Sequence, residues 1–176
     1  MQWWGMAESL EGTVDRVRYV SPETNWTVAS LREDGAPWAA TIVGVMPGLG
    51  EGMRIKVDGN WVDDARWGRQ LQVQRYAEVI PTTRDGIEAY LASGFIDGVG
   101  AKTAKRIVEA FGEQTLERIL ERPQDLRGIK GLGKKRCEAI VTSVKQRKLA
   151  QQSMLFLFDL GLSAGLANRL FKRYGE

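Results

Sequence analysis

The stretch FIDGVGAKTAKRIVEAFG, Phe95 to Gly112, sets two glycines, Gly98 and Gly100, ahead of a Lys102–Thr103 pair and an amphipathic run. Glycines before a Lys–Thr pair at a helix start can cradle phosphate, so three chemistries compete: a nucleoside triphosphate, a dinucleotide, or the phosphodiesters of a polymer. A P-loop requires G-x-x-x-x-G-K-[ST], because its backbone must wrap a pyrophosphate before the lysine reaches the terminal phosphates. Aligned on Lys102–Thr103, the required glycines fall on Ile96 and Ala101, which removes that reading. A dinucleotide fingerprint requires a third glycine at Thr103 and a buried strand in front. The segment in front, DGIEAYLASGF, has helical periodicity instead. The chain contains no histidine, so Ser-His-Asp, Cys-His and His-ligated metal chemistry are excluded. One cysteine, Cys137, excludes an internal disulfide and a Cys-rich zinc site. No catalytic or metal-binding set is assigned to these residues.

The pattern that fits is apolar-x-Gly-apolar-Gly between two helical stretches. It occurs as Ile96-Asp97-Gly98-Val99-Gly100 and, 33 residues on, as Ile129-Lys130-Gly131-Leu132-Gly133. This resembles the helix-hairpin-helix motif, and the two copies resemble the tandem helix-hairpin-helix domain of DNA-binding proteins. Glycine reaches backbone conformations closed to other residues and lets a phosphodiester approach the main chain. Val99 or Leu132 should plug the gap between helices, while free N–H groups and the positive end of the next helix face a phosphate oxygen. The candidate DNA-binding residues are therefore Gly98, Gly100, Lys102, Thr103 and Lys105 in the first hairpin. In the second they are Lys130, Gly131, Gly133, Lys134, Lys135 and Arg136. Contacts of this kind ignore base identity, so the expected grip is independent of sequence. For a single copy, Gly-x-Gly is equally a tight turn between packed helices; two copies, each followed by cations, favour binding. The copies are unequal, because Asp97 puts an acid where Lys130 puts a cation.

The surrounding chain divides into two textures. Segments 13–20, 26–33, 38–46, 53–62 and 69–79 are rich in β-branched and aromatic residues and are separated by turns such as SPETN, EDGAP and PGLGEG. Five strands in this span predict a small OB-like β-barrel, with a small sandwich as the alternative. At PTTRD the period becomes helical, with Thr82 and Asp85 as a capping box. Helices are expected over 84–93, 101–111, 113–121, 134–148, 150–160 and 164–174. The fold class is thus α+β multidomain: a barrel over 1–80, an all-α tandem helix-hairpin-helix domain over 81–160, and the start of a third, degenerate unit over 161–176. That third copy, GLSAGLANRLFKRYG, aligns without gaps to residues 98–112, but Ser163 replaces its second glycine, so packing is its expected role. Its position at the end of the sequence leads us to expect a longer parent chain.

Charge follows the same division. Residues 1–80 carry 8 basic and 11 acidic side chains, whereas 81–176 carry 17 and 11. Within 126–150 eight basic residues face one acid, Glu138, which suggests a polyanionic partner. The chain has neither a basic-then-apolar leader nor an apolar run of ~18 residues, so a cytoplasmic protein without a membrane partner is expected. Of the tryptophans, Trp26 and Trp61 follow strand alternation and are expected in the core, while Trp38 and Trp67 lie near turns and are expected outside. Leu155, Phe156, Phe158, Phe171 and Cys137 are also expected to be buried. Exposed barrel tryptophans could stack single-stranded bases or dock a protein.

A barrel followed by tandem hairpins and a degenerate third repeat resembles the N-terminal region of the RecD/TraA-type DNA helicases of bacteria, related to the exodeoxyribonuclease V alpha subunit. The stretches that carry the resemblance are GTVDRVRYVSPETNWTV, the VGVMPGLGEGMRIKVDGNWVDDARWGRQLQV block, PTTRDGIEAYLASGFIDGVGAKTAKRIVEAFG and SMLFLFDLGLSAGLANRLFKRYG. The resemblance implies a parent that hydrolyses ATP, translocates 5′→3′ on DNA through superfamily 1 motor domains C-terminal to this region, and serves DNA repair and recombination. It implies no cofactor in these 176 residues, with ATP and magnesium confined to the motor domains. DNA, as a duplex or a single-strand/duplex junction, those motor domains and single-strand-binding protein are the implied partners. The rival readings are a stand-alone RuvA-like junction binder, a protein-docking module with vestigial hairpins, and a helix-hairpin-helix DNA glycosylase. The glycosylase reading lacks a well-placed aspartate, Asp125 being the nearest.

Overall fold

The computed structural model describes residues 7–174. The leader reading rested on residues 1–12, of which 1–6 lie outside that range, as does Gly175 at the end of the third repeat copy.

Alternating burial builds the first half. In β1 (Glu8–Val20), β2 (Trp26–Arg32), β3 (Ala40–Val45), β4 (Arg54–Asp64) and β5 (Gly68–Glu78), inward residues such as Val14, Leu31, Ile42, Ile55, Val57 and Leu71 are buried. The strands close into a ring in the order β1-β2-β3-β5-β4, with β1 returning to β4. All pairings are antiparallel except the short β3–β5 seam, where Ile42 faces Leu71 and Val43 faces Gln72. This is the predicted OB-like barrel. The β4–β5 register shifts between Asp58 and Gly59, and a side chain at Gly59 would sit 2.2 Å from the Gln72 carbonyl oxygen. Only glycine fits that close approach.

The chain divides into two compact units, one of residues 1–79 with 151–176 and the other of residues 80–150. In the second unit, α1 (Arg84–Ala92) is capped by Thr83, whose hydroxyl accepts from the Gly86 amide at 3.2 Å. The cap therefore falls one residue after the expected Thr82, because Thr83 is the residue with the extended backbone a cap needs. Then come α2 (Ala101–Phe111), a 3-10 turn at 112–114, α3 (Thr115–Glu121) and a second 3-10 turn at 123–128. Their apolar stripes meet in one core around Ile87, Leu91, Ile107, Ile119, Leu126 and Ile140.

The helices expected over 134–148 and 150–160 are one helix, α4 (Lys134–Asp159). No glycine or proline interrupts it, and one buried stripe runs through Cys137, Ile140, Val144, Met154 and Phe158. The early part of that stripe joins the hairpin core. The late part packs with Ala164 and Ala167 of α5 (Ala164–Tyr174) and with Val45 and Tyr76 of the barrel. Residues 151–174 therefore close over the barrel within the first unit. There the Tyr76 hydroxyl donates to the Pro47 carbonyl at 2.6 Å, and its ring meets Phe158 edge-on. Leu155 and Phe156, expected in the core, are exposed because they point away from this stripe.

Candidate nucleic-acid interface

The two hairpins repeat one backbone solution. Gly98 and Gly131 adopt φ of +80° and +89°, in the left-handed region that costs other residues strain. The next amide closes each turn: Val99 N–H donates to the Ile96 carbonyl at 3.3 Å, and Leu132 N–H to the Ile129 carbonyl at 3.1 Å. Val99 and Leu132 are buried as the apolar plugs. Helix α2 then starts from Gly100 with no side-chain cap, and the carbonyls of Gly100 and Gly133 accept the first helical bonds from Ala104 and Cys137. In this register Ala104 matches Cys137 and Ile107 matches Ile140, all buried. Lys102 matches Lys135.

What remains unpaired is the part that could take an anion. The amides of Gly98, Gly100, Gly131 and Gly133 donate to no protein atom among the described residues. A side chain at Gly100 or Gly133 would meet nothing within 4 Å, so the fold itself does not demand glycine there. A small residue beside a free helix N-terminus leaves room for a phosphodiester. Lys102, Lys105, Lys130 and Lys135 are exposed and have no ion-pair partner among the described residues. Lys134 has only Glu138 at 4.0 Å, both well exposed, which holds it weakly. The exposed Asp97 carboxylate stands in the same zone, while its backbone amide donates to the Ser143 hydroxyl at 3.1 Å and ties the first hairpin to α4.

Two of the residues read as phosphate ligands are joined to each other. The Arg136 guanidinium donates to the Gly98 carbonyl, the Gly131 carbonyl and the Thr103 hydroxyl. Arg147, from the same basic run, lies over the rings of Phe95 and Tyr90 at 4.7 and 5.7 Å. Nothing in the sequence pattern separates these two arginines from the free cations around them. In the third copy Gly161 keeps the left-handed turn at φ +79°, but the Ser163 hydroxyl accepts from the Leu166 amide at 3.4 Å. One amide of that helix start is thus taken up within the chain, and Ala164 and Ala167 beside it are buried.

The barrel carries a second feature. Arg18, Tyr19, Trp26, Trp67 and Gln70 line a cleft of about 550 Å³ floored by Val28 and Val43. Trp38 and Trp67 are exposed as expected, at 80% and 70%. Trp26 is exposed as well, against expectation, because it opens β2 on the outward phase of the alternation. Trp61 is half-buried rather than core: β4 there runs past its last pairing with β1, Glu8 with Gly59, and the indole rests against Arg69 and Glu8 at the rim. Arg66 lies over Trp67 at 5.0 Å.

Residues 7–81 match the family model of the OB-fold domain of ATP-dependent DNA helicase YrrC. Residues 90–146 match that of the SAM-like helix-hairpin-helix tandem. The two matches support, together, the N-terminal region of an ATP-dependent DNA helicase.

Gly131→Ala should lower stability by about 1–2 kcal/mol in thermal melts, because it forces a side chain into the left-handed region. Gly133→Ala should change stability by only about 0.5 kcal/mol, yet weaken duplex binding about tenfold in fluorescence anisotropy. Equal effects of the two variants on both measurements would contradict the division of labour between the glycines. Asp97→Asn should tighten binding about threefold at low ionic strength, a gain that shrinks near 0.15 M salt, where the screening length is about 8 Å.

Proposed function

We infer that this chain, as the N-terminal region of an ATP-dependent DNA helicase, is the part that grips DNA without reading its sequence. The reading rests on one observation: two hairpins in the same backbone register present uncommitted amides beside unpaired lysines, in a unit whose charge is positive. Backbone amides and Lys102, Lys130, Lys134 and Lys135 hold phosphates, and the duplex or a single-strand/duplex junction is the ligand class. The parent is of the RecD-like superfamily 1 type, with ATP hydrolysis, magnesium and 5′→3′ translocation residing in motor domains of the same chain, in the cytoplasm. Single-strand-binding protein is a candidate partner of the barrel. No described helix is long and apolar enough to cross a membrane. A RuvA-like acidic pin at Asp63–Asp64 has little support, because the Asp64 carboxylate accepts the amides of Arg66 and Trp67 at 2.8 Å and shapes the β4–β5 turn.

The aromatic cleft favours a second, compatible activity. Exposed Tyr19, Trp26 and Trp67 with Arg18 and Arg66 nearby offer π-faces and cations to unstacked bases, so the barrel would take a single strand while the hairpins hold the duplex.

Lys134→Glu with Lys135→Glu should weaken binding to all duplex sequences alike. If about four phosphates are neutralised, log affinity should fall against log salt with a slope of roughly −3.6 in the parent chain. Unchanged affinity in the double variant, or a slope near zero, would remove the hairpin grip. Trp67→Ala should weaken a single-stranded oligonucleotide by about 1–3 kcal/mol and leave duplex affinity unaltered; a loss on duplex alone would sink the barrel assignment.

A further inference from the structure

We propose that Arg136 is a positioning residue that couples the two hairpins into one bivalent clamp, rather than a ligand of phosphate. The inference rests on the hairpin grip proposed above and adds the device that makes two weak sites act together.

Its geometry is specific. Nε and Nη2 donate to the Gly98 carbonyl at 3.2 and 2.9 Å, and Nη1 donates to the Gly131 carbonyl at 3.3 Å. Nη2 also reaches the Thr103 hydroxyl at 3.2 Å. Gly98 and Gly131 are equivalent positions of the repeat, so one guanidinium holds the same carbonyl in both turns. Thr103 and Arg136 are likewise equivalent, each three residues after the second glycine of its hairpin. Where the repeat meets its own counterpart, one copy supplies the donor and the other an acceptor. At most one of the five guanidinium N–H groups is left for a phosphate. Each carbonyl held belongs to the peptide whose N–H, on Val99 or Leu132, closes its own turn. Fixing the carbonyl therefore fixes the plane of the bend at both sites at once. Arg106 adds a weaker brace from α2 to the second hairpin, through a single bond to the Lys130 carbonyl at 3.4 Å.

A positively charged ligand and a fork-shaped brace respond differently to substitution. Lysine keeps the charge but cannot bridge two carbonyls with a planar fork. In anisotropy titrations on a mixed-sequence duplex, Arg136→Lys and Arg136→Ala should therefore both lose about tenfold in affinity. In the Arg136→Ala background, Lys135→Ala should cost less than it does alone, because the second hairpin no longer profits from the first. Arg106→Ala should lose less than either Arg136 variant. Independently of DNA, amide hydrogen exchange at Val99 and Leu132 should rise together in both Arg136 variants while circular dichroism stays unchanged. Near-normal binding by Arg136→Lys, multiplying effects of Arg136→Ala and Lys135→Ala, or exchange that rises at one hairpin only would each overturn the coupling. If the unaltered chain shows no salt-dependent duplex binding, the grip itself is wrong, and the exchange data still decide whether Arg136 braces both turns.

Discussion

A backbone N–H that finds no partner is costly inside a protein and harmless at its surface, and that asymmetry governs this molecule. Helix starts always leave such groups. A hydroxyl can take up one of them, as Thr83 does at α1 and Ser163 at α5. At Gly100 the closing side chain is missing, and Gly133 matches it in the repeat. The left-handed bends just before them bring the buried plugs Val99 and Leu132 into the core, so the open amides are held on a rigid frame. An anion that meets them finds the donors already oriented, with little ordering left to do on binding.

Packing explains why the frame is rigid. Ile107 and Ile140 lie at matching places after the two hairpins and are fully buried in one core, with Ile87, Leu91, Ile119 and Leu126 filling around them. The repeat thus acts as a pair: each hairpin's following helix supplies core to both. Ser143 and Arg136 extend this exchange to polar atoms, since both reach from α4 to the first hairpin. Positive charge is then free to collect on the outside, where Lys102, Lys105, Lys130 and Lys135 need no partner to keep the fold.

The barrel and the hairpin turns were legible because each depends on local rules. β-Branched and aromatic runs between turns marked the five strands, and the paired glycines marked the bends at Gly98 and Gly131. Failures came where tertiary contacts choose between equal local options. Arg136 and Arg147 read as free cations, since nothing in their neighbours tells that carbonyls or aromatic rings will come within reach. Trp61 alternates as a core residue should, but the bulge at Gly59 and the end of β1 pairing move it to the rim. The break expected near 149 failed for a simpler reason: no helix-breaking residue stands there, and a change of packing partner does not require a change of backbone. Leu155 and Phe156 show the limit of hydrophobicity alone, because a run of apolar residues in a helix cannot all face one side.

The ring of strands has a further bearing on recognition. Every strand of the barrel has two hydrogen-bonded neighbours, and the ring is closed by its shortest ladder, the β3–β5 seam, where only Ile42 with Leu71 and Val43 with Gln72 are paired. Val43, one of the seam residues, also lines the aromatic cleft, so the rings of Tyr19, Trp26 and Trp67 project beside it. A visitor with flat, stackable faces would meet those rings where the ring of strands is most thinly joined.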